Sequence, residues 1–416
     1  MEVKLMTNSD LPFSPWRVML PVGLGTALSL IGDTSLYAVL PTHYHDAAVP
    51  LAALGILLSA NRFIRLALNG PVGVLYDRLP RRLLFVPALF VGALSTAIYA
   101  LTLGFWPLLV GRLLWGIAWV GIWVGGNTII LDISHAGNRG RWVGLYQTAF
   151  YLGSAGGAML GGFLTDGLGY HRAMFVGAML TLAGALAALF FLPETRGLRA
   201  QQPAHAHLPG LPVRANRRAE LASVFGLLGV NRLALAGMLL PTLGLLLQTQ
   251  FGQTAHLAGF AVGVATLTGL GLGANGLISM VAAPLFGSAS DRLASRWRVA
   301  AGGLLPGIAG FGLLALALPA GPLLAIPLTA VAGGSNQSLS TALLGDMSAE
   351  HQRGQRLGVL FTFGDLASAV GPLLAYALIP LTGLTGVYLL CAGLFGVMLA
   401  VALRWSILPA GQPAAA

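Results

Sequence analysis

Residues 73–82 read GVLYDRLPRR, a glycine followed by an aspartate–arginine pair and two further arginines, and they lie between two long apolar stretches. The same pattern returns 214 residues later, where residues 287–296 read GSASDRLASR. The offset also relates Asp132 to Asp346, Ser134 to Ser348, Arg139 to Arg353, Gly144 to Gly358 and Gly157 to Gly371. A constant offset without gaps indicates two copies of one structural unit.

The composition is that of a polytopic membrane protein. Of the 416 residues, 56% are hydrophobic and 9% are charged, and the mean hydropathy is +0.79. Soluble domains carry about 25% charged residues, so a water-exposed fold does not fit this balance. A parallel repeat in a chain of this kind is typical of two-halved secondary transporters.

Because a membrane span needs about 20 apolar residues, the hydropathy pattern predicts twelve spans. They are residues 15–40, 50–74, 83–104, 107–131, 143–165, 171–192, 233–254, 263–287, 299–318, 321–345, 357–380 and 384–405. We therefore predict an all-α membrane protein in which residues 1–192 and 233–416 form two pseudo-symmetric six-helix bundles. Residues 193–232 are rich in arginine and proline and are predicted to form a polar linker between the bundles.

The net charge of +10 comes mainly from arginines in the loops 75–82, 132–142, 193–232, 288–298 and 346–356. These loops all fall on one side of the predicted membrane. The positive-inside rule makes that side cytoplasmic and, with an even number of spans, places both termini there. The basic charge therefore indicates orientation in a cell membrane, and no nucleic-acid partner is expected.

Residues 73–82 also resemble the signature G-x-L-x-D-R-x-G-R-R of the major facilitator superfamily, with Pro80 where the family usually has glycine. Residues 193–197 (PETRG) match the ending that is common after the sixth span, and this match supports the resemblance. Because the matching motifs lie in both halves, the resemblance covers nearly the whole chain. The resemblance implies a conformational latch, in which a carboxylate at a helix end pairs with arginine or with a neighbouring helix N-terminus. The gating candidates in the two copies are Gly73, Asp77, Arg78, Arg82, Asp291 and Arg292.

Glycines recur through the fifth span at positions 144, 153 and 157, followed by Ala158 and Gly161-Gly162. The spacing resembles the antiporter motif G-x8-G-x3-G-P-x2-G-G of the superfamily, with Ala158 in place of proline. The eleventh span echoes it in Gly371-Pro372. Glycines at helical spacing allow close contact between sliding helices, which favours exchange-type transport over simple tight packing.

Arg112 and Gly116 resemble the R-x-x-x-G motif of the fourth span, in which the arginine of relatives is linked to proton coupling. Arg112 is predicted near the outer end of its span. The alternative is therefore that its side chain extends to the membrane surface.

Charges that occur in only one copy are the candidates for function, since residues shared by both copies serve the scaffold. Asp33 corresponds to Leu247, Arg62 to Gly276, Arg65 to Ser279, Arg112 to Ile326 and Asp365 to Tyr151. Asn61, which is kept as Asn275, is a further binding candidate because it lies beside Arg62. A charge at mid-membrane costs about 3 kcal/mol or more, so such residues usually line cavities and pair. We predict that Asp33 binds the proton and that Arg62, at the same depth, is its switchable partner. The alternative is a permanent structural ion pair.

Two further features describe a candidate substrate cavity. Trp115, Trp119 and Trp123 form one stripe along the fourth span, which is suited either to stacking an aromatic substrate or to packing. Polar residues in other spans predict a water-filled surface. They are Gln147, Gln248, Asn336 and Gln337.

These features predict a proton-coupled transporter of the major facilitator type, most similar to the twelve-helix drug:proton antiporters. It would export amphipathic small molecules by alternating access, as a monomer in the inner membrane of a prokaryote. No ATP-binding loop, metal cluster or nucleophile motif is recognisable, so neither an enzyme nor a cofactor is expected. An alternative is the uptake, exchange or flipping of an anionic metabolite or lipid held by Arg62 and Arg65. A third alternative is a non-transporting membrane sensor.

Overall fold

The structure is a computed structural model that describes residues 13–101, 104–134, 138–197, 217–257, 260–293, 295–348 and 353–407. The helices of the first half are α1 (Trp16–Val39), α2 (Leu54–Arg78), α3 (Arg81–Ala100), α4 (Phe105–Asp132), α5 (Arg139–Leu168) and α6 (Tyr170–Phe191). Those of the second half are α7 (Arg217–Arg232), α8 (Leu240–Phe251), α9 (Val264–Arg292), α10 (Arg296–Ala315), α11 (Gly321–Asp346) and α12 (Arg353–Ile407).

Short elements complete the description. A 3₁₀ turn, Leu51–Ala53, precedes α2, and a π-helical segment, Leu233–Leu239, joins α7 to α8. The strands β1 (Thr254–Leu257) and β2 (Phe260–Gly263) form an antiparallel hairpin before α9, which the hydropathy pattern did not predict. Four-residue strands give too little periodicity to be recognised from sequence.

Each of the twelve predicted spans coincides with a helical segment. Within the described residues, nine helical stretches are long and apolar enough to cross a membrane. The spans 357–380 and 384–405 are the two arms of α12, which changes direction at Gly383. The second part of the predicted linker forms α7 (Arg217–Arg232), which runs without interruption into the seventh span. Residues 198–216 of the predicted linker lie outside the described residues.

The backbone forms two compact units. Unit 1 holds the described residues of Met1–Ala53, Ala60–His205 and Thr254–Gly273, and unit 2 holds those of Leu54–Ser59, Ala206–Gln253 and Ala274–Ala416. The division at residues 193–232 stays a prediction.

The repeat is visible in backbone geometry as well as in sequence. Gly169 lies between α5 and α6 with φ +85°, and Gly383, 214 residues later, lies between the two arms of α12 with φ +67°. Positive φ is the region that glycine enters without a steric penalty. The two copies therefore turn between their fifth and sixth helices in the same way.

Close helix contacts inside each unit depend on small residues. In unit 1, a Cβ on Gly153 would lie 2.5 Å from the backbone of Ala27, and one on Gly157 would lie 2.6 Å from the Cα of Ile31, so α5 packs directly on α1. In unit 2, Gly371 on α12 meets Gly237 in the π-helical segment, where an added Cβ would lie 2.6 Å from the carbonyl carbon of Gly237. By contrast, nothing lies within 4 Å of a Cβ added at Gly144 or Gly73.

Candidate functional site

A buried ion pair lies inside unit 1. Arg112 on α4 donates a hydrogen bond from Nη1 to Oδ1 of Asp33 on α1, and the Arg112 side chain has no solvent exposure while that of Asp33 is 10% exposed. The surface-extending alternative for Arg112 is therefore wrong. The side chain turns inward because a carboxylate and two phenol groups are available there, whereas its position along the helix gave no information on direction.

Tyr37 connects the ion pair to α2. Its hydroxyl accepts a hydrogen bond from Arg112 Nη2 at 2.7 Å and donates one to Oδ1 of Asn61 at 3.4 Å. The sequence analysis missed Tyr37, although two signals mark it. It lies one helical turn after Asp33, and the second copy has Phe251 at the matching position, which keeps the ring and removes the hydroxyl.

The backbone of α4 approaches α2 at Gly116. A Cβ at this position would overlap Cγ2 of Ile64 and lie 2.5 Å from the carbonyl oxygen of Asn61. This close crossing sets Arg112, one turn earlier on α4, at the level of Asn61 and Tyr37. Gly116 therefore positions the ion pair, which is a physical role for the glycine of the R-x-x-x-G pattern.

Arg62 lies at the same level as the ion pair. Its guanidinium carbon is 5.3 Å from the centroid of the Tyr37 ring, and that of Arg112 is 5.0 Å from the same centroid, so Tyr37 is in cation–π range of both. Arg62 is attracted by Asp33 and repelled by Arg65 and Arg112. The ion pair that the structure shows for Asp33 is with Arg112, which makes Arg62 a second cation beside the pair.

The tryptophan stripe belongs largely to the core of unit 1. Trp115 and Trp119 stack with ring centroids 6.0 Å apart, Trp119 and Trp123 stack at 5.6 Å, and Phe150 of α5 packs on the latter two. Trp115 and Trp119 are buried, whereas Trp123 is half-buried. This burial favours packing for Trp115 and Trp119 and leaves Trp123 as the accessible member of the stripe.

The predicted polar residues are not all in one environment. Gln147 on α5, Gln248 on α8 and Gln337 on α11 are half-buried, as is Asp365 on α12. Asn336 is fully buried, and its amide nitrogen and oxygen have no hydrogen-bond partner among the described residues. Asn336 therefore lies at the contact between α11 and α10 and not at an open polar surface. The two helices approach closely there because α10 has Gly303 at the contact.

A second polar cluster lies at the arginine-rich end of unit 1. Arg81 pairs through Nε with Oδ2 of Asp132 at 3.1 Å, and the hydroxyl of Thr195 donates to the same oxygen at 3.1 Å. The Glu194 carboxylate accepts from the backbone N–H groups of Arg81 and Arg82, at 2.9 and 3.1 Å, and so caps the first turn of α3. Residues 193–195 therefore act as a structural clamp, a role that the motif alone did not reveal.

The predicted gating residues divide between paired and exposed. Asp77 and Arg78 are exposed at the end of α2, and Arg82 donates to the carbonyl oxygen of Leu189.

In unit 2, Arg296 pairs with Asp291 at 2.9 Å and also with Asp346. These three residues and Ser290 line a cleft of about 230 Å³. Arg292 is exposed. Pro80, with φ −55°, is the residue that immediately precedes α3, at the position where the family usually has glycine.

Comparison with known proteins identifies the family to which this chain belongs. The family model described as Major Facilitator Superfamily matches residues 22–270 and 225–415. The chain belongs to the Major Facilitator Superfamily. It is therefore a multi-pass membrane transporter of small molecules and not an enzyme.

This facilitator is similar along most of its length to two bacterial proteins. It is 27% identical to the tetracycline resistance protein, class B, of Escherichia coli, over 84% of this chain and 85% of that protein. It is 27% identical to the class C protein of the same organism, over 85% and 88% of the two chains. Among solved structures, a bacterial homolog of the human lysosomal transporter Spinster, in an inward-facing and occupied conformation, matches with a TM-score of 0.74. That match has 16% identity and covers 93% of this chain and 96% of that one.

The central ion pair holds two opposite charges that have little access to water. Loss of the Asp33 carboxylate would leave the buried Arg112 guanidinium without its carboxylate partner, beside the Tyr37 hydroxyl. Removing one partner from a buried ion pair is worth about 3–5 kcal/mol, which is large enough to change the balance between two conformations.

Proposed function

We propose that this facilitator is a proton-coupled antiporter that exports amphipathic small molecules from the cytoplasm. The observation that carries the proposal is the buried pair of Asp33 and Arg112, whose two charges are absent from the second copy of the repeat. An ionisable pair inside a membrane span is expensive and marks an ion or proton pathway. Similarity to the two tetracycline resistance proteins supports an aromatic, amphipathic substrate.

In the proposed mechanism, substrate and proton stabilise different states of one cluster. When a proton binds an Asp33 oxygen, the Coulomb attraction to Arg112 is lost, and the guanidinium keeps Tyr37 as a partner. When substrate binds, the deprotonated pair reforms and the proton leaves. The transporter then alternates between inward- and outward-open states, with one face open at a time. We further propose a monomer with both termini in the cytoplasm and with residues 193–232 linking two six-helix bundles.

A second candidate function has its own observation. Arg62 and Arg65 on α2 give the cluster more positive than negative charge, and Arg62 is repelled by both of its arginine neighbours. An anionic group on the substrate would relieve that repulsion. The alternative is therefore a carrier of an organic anion that binds Arg62 and Arg65.

One experiment separates the two candidates. The purified protein is reconstituted in liposomes with a pH-sensitive dye inside, and tetracycline, tetraphenylphosphonium or 4-hydroxybenzoate is added under an imposed proton gradient. Antiport predicts proton movement with tetracycline or the lipophilic cation and its loss in Asp33→Asn. Proton movement with the anion alone, or anion uptake that Arg65→Gln abolishes, would instead favour the carrier of organic anions.

A further inference from the structure

Three polar side chains lead from the Asp33–Arg112 pair toward the loop between α1 and α2. We propose that Tyr99, Tyr170 and Asp46, with water at the Tyr170 hydroxyl, form a proton route that connects this loop to Asp33. The proposal rests on the proposed function, because it supplies the path by which the coupling proton reaches its site. The loop lies at the opposite end of α2 from the arginine-rich residues 75–82 and is expected to face the outside.

The inner end of the route is at Arg112. Its guanidinium carbon lies 6.0 Å from the centroid of the Tyr99 ring, and the Tyr99 hydroxyl is within hydrogen-bonding reach of the Arg112 side chain. Ser95 donates to the Tyr99 hydroxyl at 3.0 Å. Tyr99 packs against Gly111, where an added Cβ would lie 2.8 Å from the ring. The phenol is therefore held beside the guanidinium that binds Asp33.

The middle of the route is the hydroxyl of Tyr170, the first residue of α6. It is buried and has no hydrogen-bond partner among the described residues, although it interacts electrostatically with Tyr99 and Asp46. The start of α6 lies against the end of α3, since His171 Nδ1 is 3.0 Å from the carbonyl oxygen of Ala100. Buried polar atoms without protein partners are the usual sites of ordered water, and in the proposed route water at this hydroxyl links Tyr170 to its two electrostatic neighbours.

The outer end is Asp46, which is exposed on the α1–α2 loop. The same loop carries His43, whose Nδ1 lies 2.9 Å from the Thr42 hydroxyl, and His45, which packs on Tyr44. Because the Asp46 carboxylate is exposed, bulk water can reach the outer end of the route directly. A phenol hydroxyl both accepts and donates hydrogen bonds. Each tyrosine can therefore accept a proton on one side and release its own on the other, and it is a neutral phenol again after the transfer.

The second copy of the repeat provides an internal control. At the offset of 214 residues, Tyr99, Tyr170 and Asp46 correspond to Leu313, Leu384 and Phe260. Every polar group of the proposed route is therefore apolar in the copy that also lacks the Asp33 and Arg112 charges. A scaffold role would predict retention in both copies, as is seen for Asn61 and Asn275.

The test compares Tyr170→Phe with wild type in the dye-loaded liposomes. It uses whichever of tetracycline, tetraphenylphosphonium and 4-hydroxybenzoate gives the fastest proton movement with the wild-type protein. We expect the initial rate of proton movement to fall about tenfold, which is less than the roughly 10²–10⁴-fold effect of a positioned proton-transfer group, because a second water can partly replace the hydroxyl. The solvent isotope effect should rise, while equilibrium binding of the compound stays the same. Asp46→Asn should slow the reaction in the same direction. Because the Tyr170 hydroxyl has no hydrogen-bond partner among the described residues, its loss breaks no bond within the protein and should not reduce stability, so misfolding does not explain a slower rate.

The matched control is Tyr376→Phe in unit 2, which removes a buried hydroxyl that donates to the Pro241 carbonyl at 2.9 Å. It should leave proton movement unchanged. If Tyr170→Phe moves protons as fast as wild type while Asp33→Asn does not, the route is wrong and the antiport proposal stands. If wild type moves no protons with any compound, both proposals are wrong.

Discussion

The arginine-rich ends of the two units make related ion pairs with different arginines. In unit 1 the pair is Arg81 with Asp132, and the side chains are 9% and 0% exposed. In unit 2, Arg296 pairs with Asp346, and they are 24% and 56% exposed. The aspartates correspond in the repeat, but Arg296 corresponds to Arg82 and not to Arg81.

The difference follows from where each helix begins. Pro80 starts α3 so that Arg81 is its first residue, whereas α10 starts one position later in the repeat, at Arg296. In both units the first residue of one helix binds the aspartate at the end of the next. These are Arg81 of α3 with Asp132 of α4, and Arg296 of α10 with Asp346 of α11. Position in the fold therefore selects the arginine, and Glu194, which caps α3, further separates unit 1 from unit 2.

The interiors of the units differ more strongly. Unit 1 buries Asp33 and Arg112, and unit 2 has Leu247 and Ile326 at these positions. Since the second copy forms the corresponding helices with apolar residues at these two positions, the charges are not needed to build the fold. The following predictions test this contrast, from the largest expected effect to the smallest.

Copying the residues of unit 2 into unit 1 should separate folding from coupling. Asp33→Leu or Arg112→Ile alone leaves one buried charge without its partner and should lower the free energy of unfolding by about 3–5 kcal/mol. The double variant should regain most of that stability, because neither charge of the pair is left without its partner, and yet move no protons. Thermal unfolding in detergent and the liposome assay measure the two properties. A double variant that is less stable than either single one would show that the pair is structural.

Removing the two end arginines should have unequal effects. Arg81→Gln leaves Asp132 buried with one fewer partner and should destabilise by about 3 kcal/mol. Arg296→Gln breaks exposed pairs and should change stability by less than about 1 kcal/mol, an effect that decreases in high salt. Arg82→Gln serves as the sequence-matched control for Arg296. Equal destabilisation by Arg81→Gln and Arg82→Gln would contradict the one-residue shift described above.

The α2–α4 crossing should tolerate no side chain at Gly116. Gly116→Ala forces a methyl group into Ile64 and the Asn61 backbone and should destabilise by about 1–3 kcal/mol, with slower proton-coupled transport because Arg112 is displaced. Ala330 holds the matching place in unit 2. Gly144→Ala, where nothing lies within 4 Å, is the control and should be neutral or stabilising by up to about 1 kcal/mol. The melting temperatures of the two variants provide the comparison.

The smallest predicted effect concerns the cap of α3. Glu194→Gln keeps the shape of the side chain and removes the charge that interacts with the helix N-terminus, so the expected loss is about 1 kcal/mol at low salt. Thermal melting at low and high ionic strength measures it. A loss that does not depend on salt would mean that hydrogen-bond geometry, and not charge, accounts for the stabilisation.

The sequence by itself determined the number and place of the helices, the repeat and the family. Hydropathy alone suffices for the helices, because every backbone polar group in a lipid core must be satisfied within its own helix. The repeat and the family rest on the motifs. The repeat also identified Asp33 and Arg112 as unshared charges. It could have identified Tyr37 in the same way, since Phe251 replaces it in the second copy.

Only the tertiary structure decided which side chains meet. Asp33 pairs with Arg112 across helices 79 residues apart in the chain, and depth along a span could not distinguish this partner from Arg62. Likewise, the residue that pairs with Asp132 is Arg81 and not its neighbour Arg82, because α3 begins directly after Pro80. Hydropathy reports the distance of a residue from the membrane surface, whereas pairing depends on how each helix is rotated and on which glycines let neighbours approach. Those quantities exist only once the helices are packed together.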